Sequence, residues 1–363
     1  MRRVRAGGLI ALALALALGC GGAEPSASAE QSIAIAAAAP TRAVPGGPVR
    51  TSTWTRATDE QIAATIAALE HVVRTEALAD PDETWMLAHA VAALGPAVEL
   101  ASGGTAVDAM LAIAGADGRV EGVSKSGLAR DPHPDHTLAT LLAAGVSAQR
   151  LHAAMVASFT PPAAWGERAW TMRAIAEGRA LGLPAPAGAD PRAFAAALVD
   201  ASSFLEAARA AGAPVRKRKQ GIWAEPCGGL HWIEAVAAWT RVEPELRPQL
   251  ERVRDVLQYR VGVEADLYAQ LRAAAPPELA VPLDAQELKF FGHVLDAARE
   301  LERADAALDP AVLDEARARL CAAVRRLAGT LARLAELRAS DPQLYRDLVG
   351  DAAHALAGLR PPG

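Results

Sequence analysis

Apolar residues recur every three or four positions through most of the chain, which is the spacing of one face of an α-helix. The first run follows Thr58, a residue type that caps helices, and continues through Ile62, Ile66 and Leu69 before it ends near Asp80. The same spacing predicts further helices over residues 82–94, 105–114, 135–144, 147–158, 164–181, 191–211, 228–241, 244–273, 284–306, 310–338 and 341–358. Strand patterns are almost missing, so the predicted fold class is all-α.

The links between these helices are short, so we expect consecutive helices to form antiparallel hairpins. The favoured form is an α/α-toroid, in which inner and outer helices alternate around an axis; an irregular array of helices is the alternative. Residues 58–363 are predicted to form one all-α domain, in which residues 244–363 could pack as a separate sub-bundle. The composition agrees, because the chain is 52% hydrophobic and 4% aromatic and is rich in alanine, the strongest helix former.

The N-terminal segment predicts export. Residues 1–19 combine three arginines with a short apolar run, which is typical of a signal peptide. The following Cys20 completes a sequence, Ala-Leu-Gly-Cys, that resembles the bacterial lipobox, in which the cysteine thiol is lipidated. Residues 20–57 are rich in Ala, Ser, Pro and Gly, and they are predicted to be the lipidated cysteine and a flexible tether. Gly21, rather than Asp, follows the cysteine, and in such lipoproteins this favours the outer membrane.

The charge narrows the choice of partners. The formal net charge is −5, and an acidic exported chain is a poor binder of nucleic acids. The predicted partners are the membrane, through a lipid on Cys20, and another envelope protein or a glycan or peptide ligand. With Cys20 lipidated, the remaining cysteines are Cys227 and Cys321, which could pair in an oxidising envelope.

Metal-ligating residue types are concentrated between Asp131 and His136. His133 and His136 lie three positions apart, with Asp131 and Asp135 as further ligands or as their hydrogen-bond partners. The alternative is a helix N-terminus, where Pro134 and an acidic first turn are favoured for structural reasons.

A thiol and an imidazole lie one helical turn apart at Cys227 and His231. A cysteine at a helix N-terminus has a lowered pKa, so this pair could act as a nucleophile and its base or as two metal ligands. The alternative is a buried cysteine where Gly228 and Gly229 begin a helix.

His89 and His293 lie on strongly apolar helices, and each taken alone fits a hydrogen-bonded core histidine. In a toroid, however, the inner helix ends converge on the axis. His89, His133 or His136, Cys227 with His231, and His293 could then meet in one cavity. Toroids of the prenyltransferase and lanthipeptide-cyclase kind hold a zinc ion there. This chain lacks the adjacent Cys-His pair of the cyclases, so the resemblance extends only to the general geometry. The cofactor is therefore unknown from the sequence, with a divalent metal such as zinc as the candidate.

The segments around these residues are similar to those of a family of uncharacterised exported bacterial proteins. The segments are Thr84–His89, Asp131–His136, Gln220–Ile222 with Cys227–His231, and Leu288–His293. Members are sometimes labelled ADP-ribosylation-factor-directed GTPase-activating proteins. That activity depends on a four-cysteine zinc module, and this chain has two cysteines beyond Cys20, so the resemblance implies no mechanism.

The sequence therefore supports two functional hypotheses. The first is an envelope lipoprotein whose helical body holds a His/Cys/Asp site that binds a metal or acts as a hydrolase or lyase. In it, Cys227 and His231 are the catalytic candidates, and His89, His133, His136 and His293 are the metal-ligand candidates. The second is a non-catalytic helical scaffold that presents a groove to another envelope protein.

Overall fold

The computed structural model describes residues 55–113, 135–146, 151–152, 155–156, 165–213, 215 and 217–360. These residues form twelve α-helices, together with several short 3-10 segments and one π-helical segment, Val73–Ala77. The helices are α1 (Asp59–Val72), α2 (Thr84–Leu94), α3 (Ala106–Ile113), α4 (His136–Ala143), α5 (Ala169–Ala180), α6 (Pro191–Ala211), α7 (Leu230–Val242), α8 (Arg247–Ala274), α9 (Ala280–Arg303), α10 (Pro310–Leu331), α11 (Leu334–Ser340) and α12 (Pro342–Leu359). Over the described residues, β pairing is limited to one isolated bridge, between Glu99 and Thr105. The predicted all-α fold class is confirmed, whereas the toroid stays a prediction.

Several helices begin as their local sequence dictates. Before α1, the Thr58 hydroxyl accepts from the backbone N–H of Gln61, and the Gln61 side chain accepts from the backbone N–H of Thr58. Helices α6, α10 and α12 each begin with an Asp-Pro pair. The aspartate accepts a backbone N–H of the first turn, and the proline takes the first helical position, which needs no N–H. These aspartates are Asp190, Asp309 and Asp341.

The single helix predicted over residues 310–338 is wrong, because the structure divides it into α10 and α11. Arg333 leaves the helical conformation with φ −119°. The apolar spacing nevertheless continues across the break through Leu331 and the buried Leu334. Periodicity alone therefore cannot show that the backbone is interrupted.

The helix predicted from residue 284 begins instead at Ala280. The difference arises at Pro282, which the prediction places outside the helix. Pro282 lies in the first turn, where a backbone N–H has no intrahelical acceptor, so its missing N–H costs nothing there.

Three helices, α7, α9 and α12, form the centre of the body. Every residue of α7 from Leu230 to Thr240 is buried, and α9 and α12 are buried along most of their length. Helix α9 packs against α7, α10 and α12, while α12 also packs against α1 and α2. Polar side chains on a helix that is buried on all sides are costly unless they have hydrogen-bond or charge partners. The polar side chains of these three helices therefore indicate where an interior site lies.

Helices on both sides of residue 244 contribute to one hydrophobic core, which extends from Leu69 to Ala357. The limits predicted for the domain and for the sub-bundle 244–363 stay predictions. None of the described helices combines the length and the apolar character needed to cross a bilayer.

Glycines allow α9 and α12 to approach each other closely. A Cβ atom at Gly292 would lie 3.0 Å from the Cβ atom of Ala355. A Cβ atom at Gly358 would lie 2.5 Å from backbone atoms of Leu295 and Asp296. Because backbone cannot move aside as a flexible side chain can, a side chain at residue 358 would force the two helices apart.

We expect Gly358→Ala to lower the free energy of unfolding by about 1–3 kcal/mol, because overpacking strains a tightly packed contact. Urea denaturation followed by far-UV circular dichroism measures this change. The matched control is Gly329→Ala in α10, where a Cβ atom would meet nothing within 4 Å. The control should stabilise the protein by about 0.5–1 kcal/mol through the lower entropy of its unfolded chain. Equal effects at the two positions would contradict the close approach of α9 and α12.

Candidate metal centre

Five buried histidines, one from each of five helices, meet in the interior of the described body. We call them the histidine row; in spatial order they are His136 of α4, His89 of α2, His354 of α12, His293 of α9 and His231 of α7. Each is at most 4% exposed. Successive ring centres along the row lie 4.4, 5.1, 4.1 and 5.0 Å apart. The row is therefore continuous, and each member can contact the next.

Two tryptophans pack against the row. The ring centre of Trp85 lies 4.0 Å from that of His89. The ring centre of Trp170 lies 4.1 Å from that of His136 and 4.6 Å from that of His231. These large apolar rings lower the local dielectric constant and limit the rotation of the imidazoles.

Backbone carbonyls determine the protonated nitrogen of two of these rings. Nδ1 of His89 donates to the carbonyl oxygen of Trp85 at 2.7 Å, and Nδ1 of His293 donates to that of Lys289 at 2.8 Å. Each acceptor is the residue four positions earlier on the same helix. The Nε2 atom of each neutral ring therefore carries the lone pair that a metal ion or a proton needs.

Each of the helices α9 and α12 places a carboxylate next to the histidine of the other helix. Nδ1 of His354, on α12, donates to Asp296 of α9 at 2.8 Å. Nδ1 of His293, on α9, lies 3.8 Å from the carboxylate of Asp351 on α12. A carboxylate behind an imidazole orients the ring and makes its other nitrogen a better metal ligand.

A left-handed turn places Cys227 just before α7, which begins at Leu230 and not at the predicted residue 228, so Cys227 and His231 are not one helical turn apart. Cys227, Gly228 and Gly229 have successive φ angles of 48°, 61° and 74°, a conformation that is costly for a residue with a side chain. A Cβ atom at Gly228 would collide with the guanidinium of Arg260, and one at Gly229 would collide with Ile222. Both glycines are therefore required for this turn.

The turn brings the Cys227 thiol next to two members of the histidine row. The sulfur of Cys227, a ring nitrogen of His231 and a ring nitrogen of His293 all lie within 4.8 Å of one another, and all three residues are buried. Thiolate and imidazole are the ligands that zinc prefers. The carboxylate of Glu234 lies 3.4 Å from Nδ1 of His231 and can orient that ring.

A buried ion-pair cluster holds the Cys227 turn. Arg260 donates from Nη1 to the carbonyl oxygen of Gly228 at 2.5 Å and from Nε to Glu264 at 3.0 Å. Glu264 also accepts from Nζ of Lys217 at 2.6 Å and from Nε1 of Trp223 at 3.1 Å. Burial opposes the ionisation of Glu264, but the cations of Lys217 and Arg260 outweigh it and lower the pKa of the carboxyl group.

A second cluster of buried charges lies beyond Glu234. Arg173 contacts Glu234 at 2.6 Å and Glu300 at 3.0 Å. Arg241 contacts Glu300 and Glu177, each at 2.7 Å. Burial opposes the ionisation of Glu300, but the charges of Arg173 and Arg241 prevail and lower its pKa to about 2. The cluster links α5, α7 and α9 around the site.

Three imidazoles of the row are kept neutral by their surroundings. Burial lowers the pKa of His89 to about 4. Burial, with a neighbouring imidazole in each case, lowers the pKa of His293 and of His354 well below the usual range. Metal ions bind neutral imidazole, so protons compete little for these nitrogens near neutral pH. Burial also raises the pKa of the Asp296 carboxyl group.

The structure brings together five of the six site residues that the sequence singled out. They are His89, His136, Cys227, His231 and His293. His133 lies outside the described residues, as do Asp131 and the predicted lipidation site Cys20. The catalytic and metal-binding roles assigned to these residues stay predictions.

Asp135 has a local structural partner. It precedes α4 with a left-handed φ of 68°, and its carboxylate accepts from the Thr171 hydroxyl of α5 at 2.5 Å. Asp135 therefore links α4, the helix that carries His136, to α5.

The two cysteines considered for a disulfide, Cys227 and Cys321, are both free thiols.

Sequence reasoning missed four residues: His354, Glu234, Asp296 and Asp351. A signal for them was present, namely a histidine and a carboxylate three positions apart on a largely apolar helix. The three instances are His231 with Glu234, His293 with Asp296, and Asp351 with His354. In the structure, the histidines of α9 and α12 each face the carboxylate of the other helix. This pairing depends on tertiary packing, so the spacing along the sequence does not predict it.

No protein-family model, curated protein or solved structure matches this chain. Its function must therefore be argued from its own residues and their geometry.

Proposed function

We propose that this protein binds a transition-metal ion of the zinc class through Cys227, His231 and His293. The observation that carries the proposal is the set of three ligand atoms, one sulfur and two nitrogens, that lie within 4.8 Å of one another in the buried interior. Two ligands bound to one zinc ion lie about 3–4 Å apart, given metal–ligand bonds of about 2.0–2.3 Å. Small side-chain movements would therefore complete the coordination.

The ligand types favour a borderline or soft metal ion. A mixed thiolate and imidazole set suits zinc or copper and is unsuited to magnesium or calcium, which prefer oxygen ligands. The Asp351 carboxylate, 3.8 Å from Nδ1 of His293, supplies negative charge near the cation. Burial raises the pKa of Glu234 well above its usual range, so Glu234 acts by orienting the His231 ring. The metal requires Cys227 as the thiolate, and the proton released on binding goes to solvent.

Three protein ligands are the number found in catalytic zinc sites, where water occupies the fourth position. A hydrolase or lyase that acts on a glycan or peptide of the cell envelope is therefore the activity proposed for the loaded protein. The metal would supply an activated water molecule. The chain's own contribution is to fix the rings through the Lys289 carbonyl and the carboxylate of Glu234.

A metal-free nucleophile is the second candidate, and one observation favours it. The Cys227 thiol, the His231 imidazole and the Glu234 carboxylate lie in succession. A nucleophile, a base and a group that orients the base are arranged in this order in Cys–His hydrolases. Unlike the metal site, this arrangement does not require His293.

The cellular location belongs to the same proposal. It is supported by the signal-like residues 1–19 and by the lipobox-like position of Cys20. A lipid on Cys20 would hold the helical body at the membrane surface, where envelope substrates are found.

Metal content tests the proposal. We expect the full chain, purified in detergent and dialysed against zinc, to retain zinc in the Cys227 site, with about one equivalent lost on Cys227→Ser. His293→Asn should have the same effect, because asparagine can still donate to the Lys289 carbonyl but lacks Nε2. The loss is measured by inductively coupled plasma mass spectrometry.

Two controls separate ligand loss from a general disturbance. Cys321→Ser removes another buried free thiol, and His71→Ala removes an exposed imidazole of α1. Both variants should retain wild-type zinc. Zinc content that is unaffected by Cys227→Ser and His293→Asn would overturn the proposal. A wild-type chain without metal would overturn it as well, and would leave the metal-free nucleophile and the scaffold as the two remaining hypotheses.

A further inference from the structure

We infer that Arg173 of α5 is a positioning residue for the proposed metal site. It acts on one of the three ligands, His231, through Glu234 and through Trp170. The inference rests on the proposed function, because it concerns the same site, and it adds a residue that acts from outside the set of three ligands. The Arg173 side chain is 13% exposed, so it reaches the site from within the protein.

The contacts of Glu234 make its position depend on Arg173. The Oε2 atom of Glu234 accepts from Nη1 of Arg173 at 2.6 Å and lies 3.4 Å from Nδ1 of His231. Its Oε1 atom is buried and has no hydrogen-bond partner among the described residues. The charge-assisted hydrogen bond from Arg173 is therefore the strong contact of this carboxyl group. It determines where the carboxyl group lies relative to the His231 ring.

The orientation of the His231 ring follows from the position of Glu234. Because Nδ1 of His231 faces the carboxyl group, Nε2 is the nitrogen assigned to the metal. A group that accepts the outer N–H of a metal-bound histidine fixes the ring, and its loss typically lowers metal affinity by about 10–100-fold. A displaced Glu234 should weaken metal binding for the same reason as a missing one.

Trp170 provides a second link from Arg173 to the same imidazole. The guanidinium carbon of Arg173 lies 5.2 Å from the centre of the Trp170 ring, a cation–π contact. The Trp170 ring centre lies 4.6 Å from that of His231. Arg173 and Trp170 are three positions apart on α5, so one helix supplies both groups. Arg173 thus contacts both of the groups through which we expect it to hold His231.

A purely structural role for Arg173 is the competing explanation. Arg173 also contacts Glu300 at 3.0 Å, so it could serve only to balance that buried charge. Arg241 contacts the same carboxylate at 2.7 Å and has Glu177 as its other ion-pair partner, also at 2.7 Å. Because Arg241 shares the charge cluster but pairs with Glu300 and Glu177 instead of Glu234, it is the matched control.

The affinity of the full chain for Zn²⁺, measured by competition with a chromophoric chelator, tests the inference. Arg173→Lys keeps the positive charge but replaces the guanidinium, which donates to Glu234 and Glu300 from two nitrogens, by a single ammonium group. We expect the dissociation constant for zinc to rise by about tenfold or more. Arg241→Lys is the same chemical change in the same cluster, and it should leave the dissociation constant close to the wild-type value.

The absorption spectrum of the Co²⁺-loaded chain is a readout that a loss of stability alone would not change. A misplaced His231 ring should shift the ligand-field bands in Arg173→Lys, whereas Arg241→Lys should keep the wild-type spectrum. Equal effects of the two substitutions on zinc affinity and on the cobalt spectrum would overturn the inference and leave the Cys227 site in place. Zinc binding that is unaffected by Cys227→Ser would overturn the inference together with the proposed function.

A measurement on the wild type decides the question if circular dichroism shows that Arg173→Lys is unfolded. In crystals of the zinc-loaded protein, Arg173 should remain hydrogen-bonded to Glu234. Nδ1 of His231 should then lie about 2.7–3.0 Å from the same carboxyl group, since the metal strengthens the donor. A Glu234 carboxyl group that has turned away from His231 or from Arg173 would overturn the inference.

Discussion

Arg260→Met is expected to lower the free energy of unfolding by about 3–5 kcal/mol, because it removes one partner of a buried ion pair. Arg260 is 2% exposed, and Glu264, its partner four positions later, is fully buried. The substitution also removes the hydrogen bond to the carbonyl oxygen of Gly228. The Cys227 turn should lose its position, so we expect metal bound at this site to be lost together with stability.

Urea denaturation and zinc content, measured on the same preparation, test this expectation. Arg252→Met on the same helix is the matched control, since Arg252 pairs with Glu206 at the surface and its side chain is 55% exposed. An exposed ion pair contributes about 0–1 kcal/mol, so the control should keep both its stability and its zinc. A change in Arg260→Met no larger than in Arg252→Met would contradict the role given to the buried cluster.

Glu300→Gln is expected to destabilise the protein by about 3 kcal/mol at neutral pH. A pKa that falls from 4.5 to about 2 on folding corresponds to a contribution of about this size. The substitution removes one carboxylate partner from each of the buried guanidinium groups of Arg173 and Arg241. Removing one member of a buried charged network is costly for this reason.

The contribution of Glu300 to the free energy of unfolding should decrease as the pH falls. Because the folded-state pKa of Glu300 lies below the unfolded value, its stabilisation is complete above about pH 4.5 and is lost as the pH falls toward about 2. The charges that face it are Arg173, Arg241 and Arg303, with the carboxylates of Glu234 and Asp296 nearby.

The difference in unfolding free energy between wild type and Glu300→Gln should therefore shrink between pH 5 and pH 3. Urea denaturation at fixed ionic strength measures it. A difference that stays constant over this range would show that Glu300 is not held ionised by the arginines that face it.

The fold class follows from the sequence because helical periodicity and capping are local. The Thr58 cap and the Asp-Pro starts at Asp190, Asp309 and Asp341 can be read from a few neighbouring residues. The break at Arg333 cannot be read in this way, since apolar spacing continues through it. The packing of α12 against α1 and α2 joins parts of the chain that are far apart in sequence.

The sequence identifies most of the residues of the candidate site, but not the distances and hydrogen-bond partners that relate them. A lone histidine on an apolar helix, such as His89 or His293, indicates a buried polar partner, which here is a carbonyl four positions earlier on the same helix. The imidazoles that neighbour these two rings come from other helices and could not be predicted. His354 has the same context, yet its relation to Asp296 exists only once α9 and α12 cross. The left-handed conformation of Cys227 also has no clear local signal, although the two following glycines permit it.

The most direct test of the central claim is anomalous diffraction from crystals of the zinc-loaded protein, measured on both sides of the zinc absorption edge. We expect a strong anomalous peak about 2.0–2.3 Å from the sulfur of Cys227 and from ring nitrogens of His231 and His293. A zinc-loaded crystal that lacks a peak among these three residues, with the Cys227 sulfur away from any ion, would contradict the account.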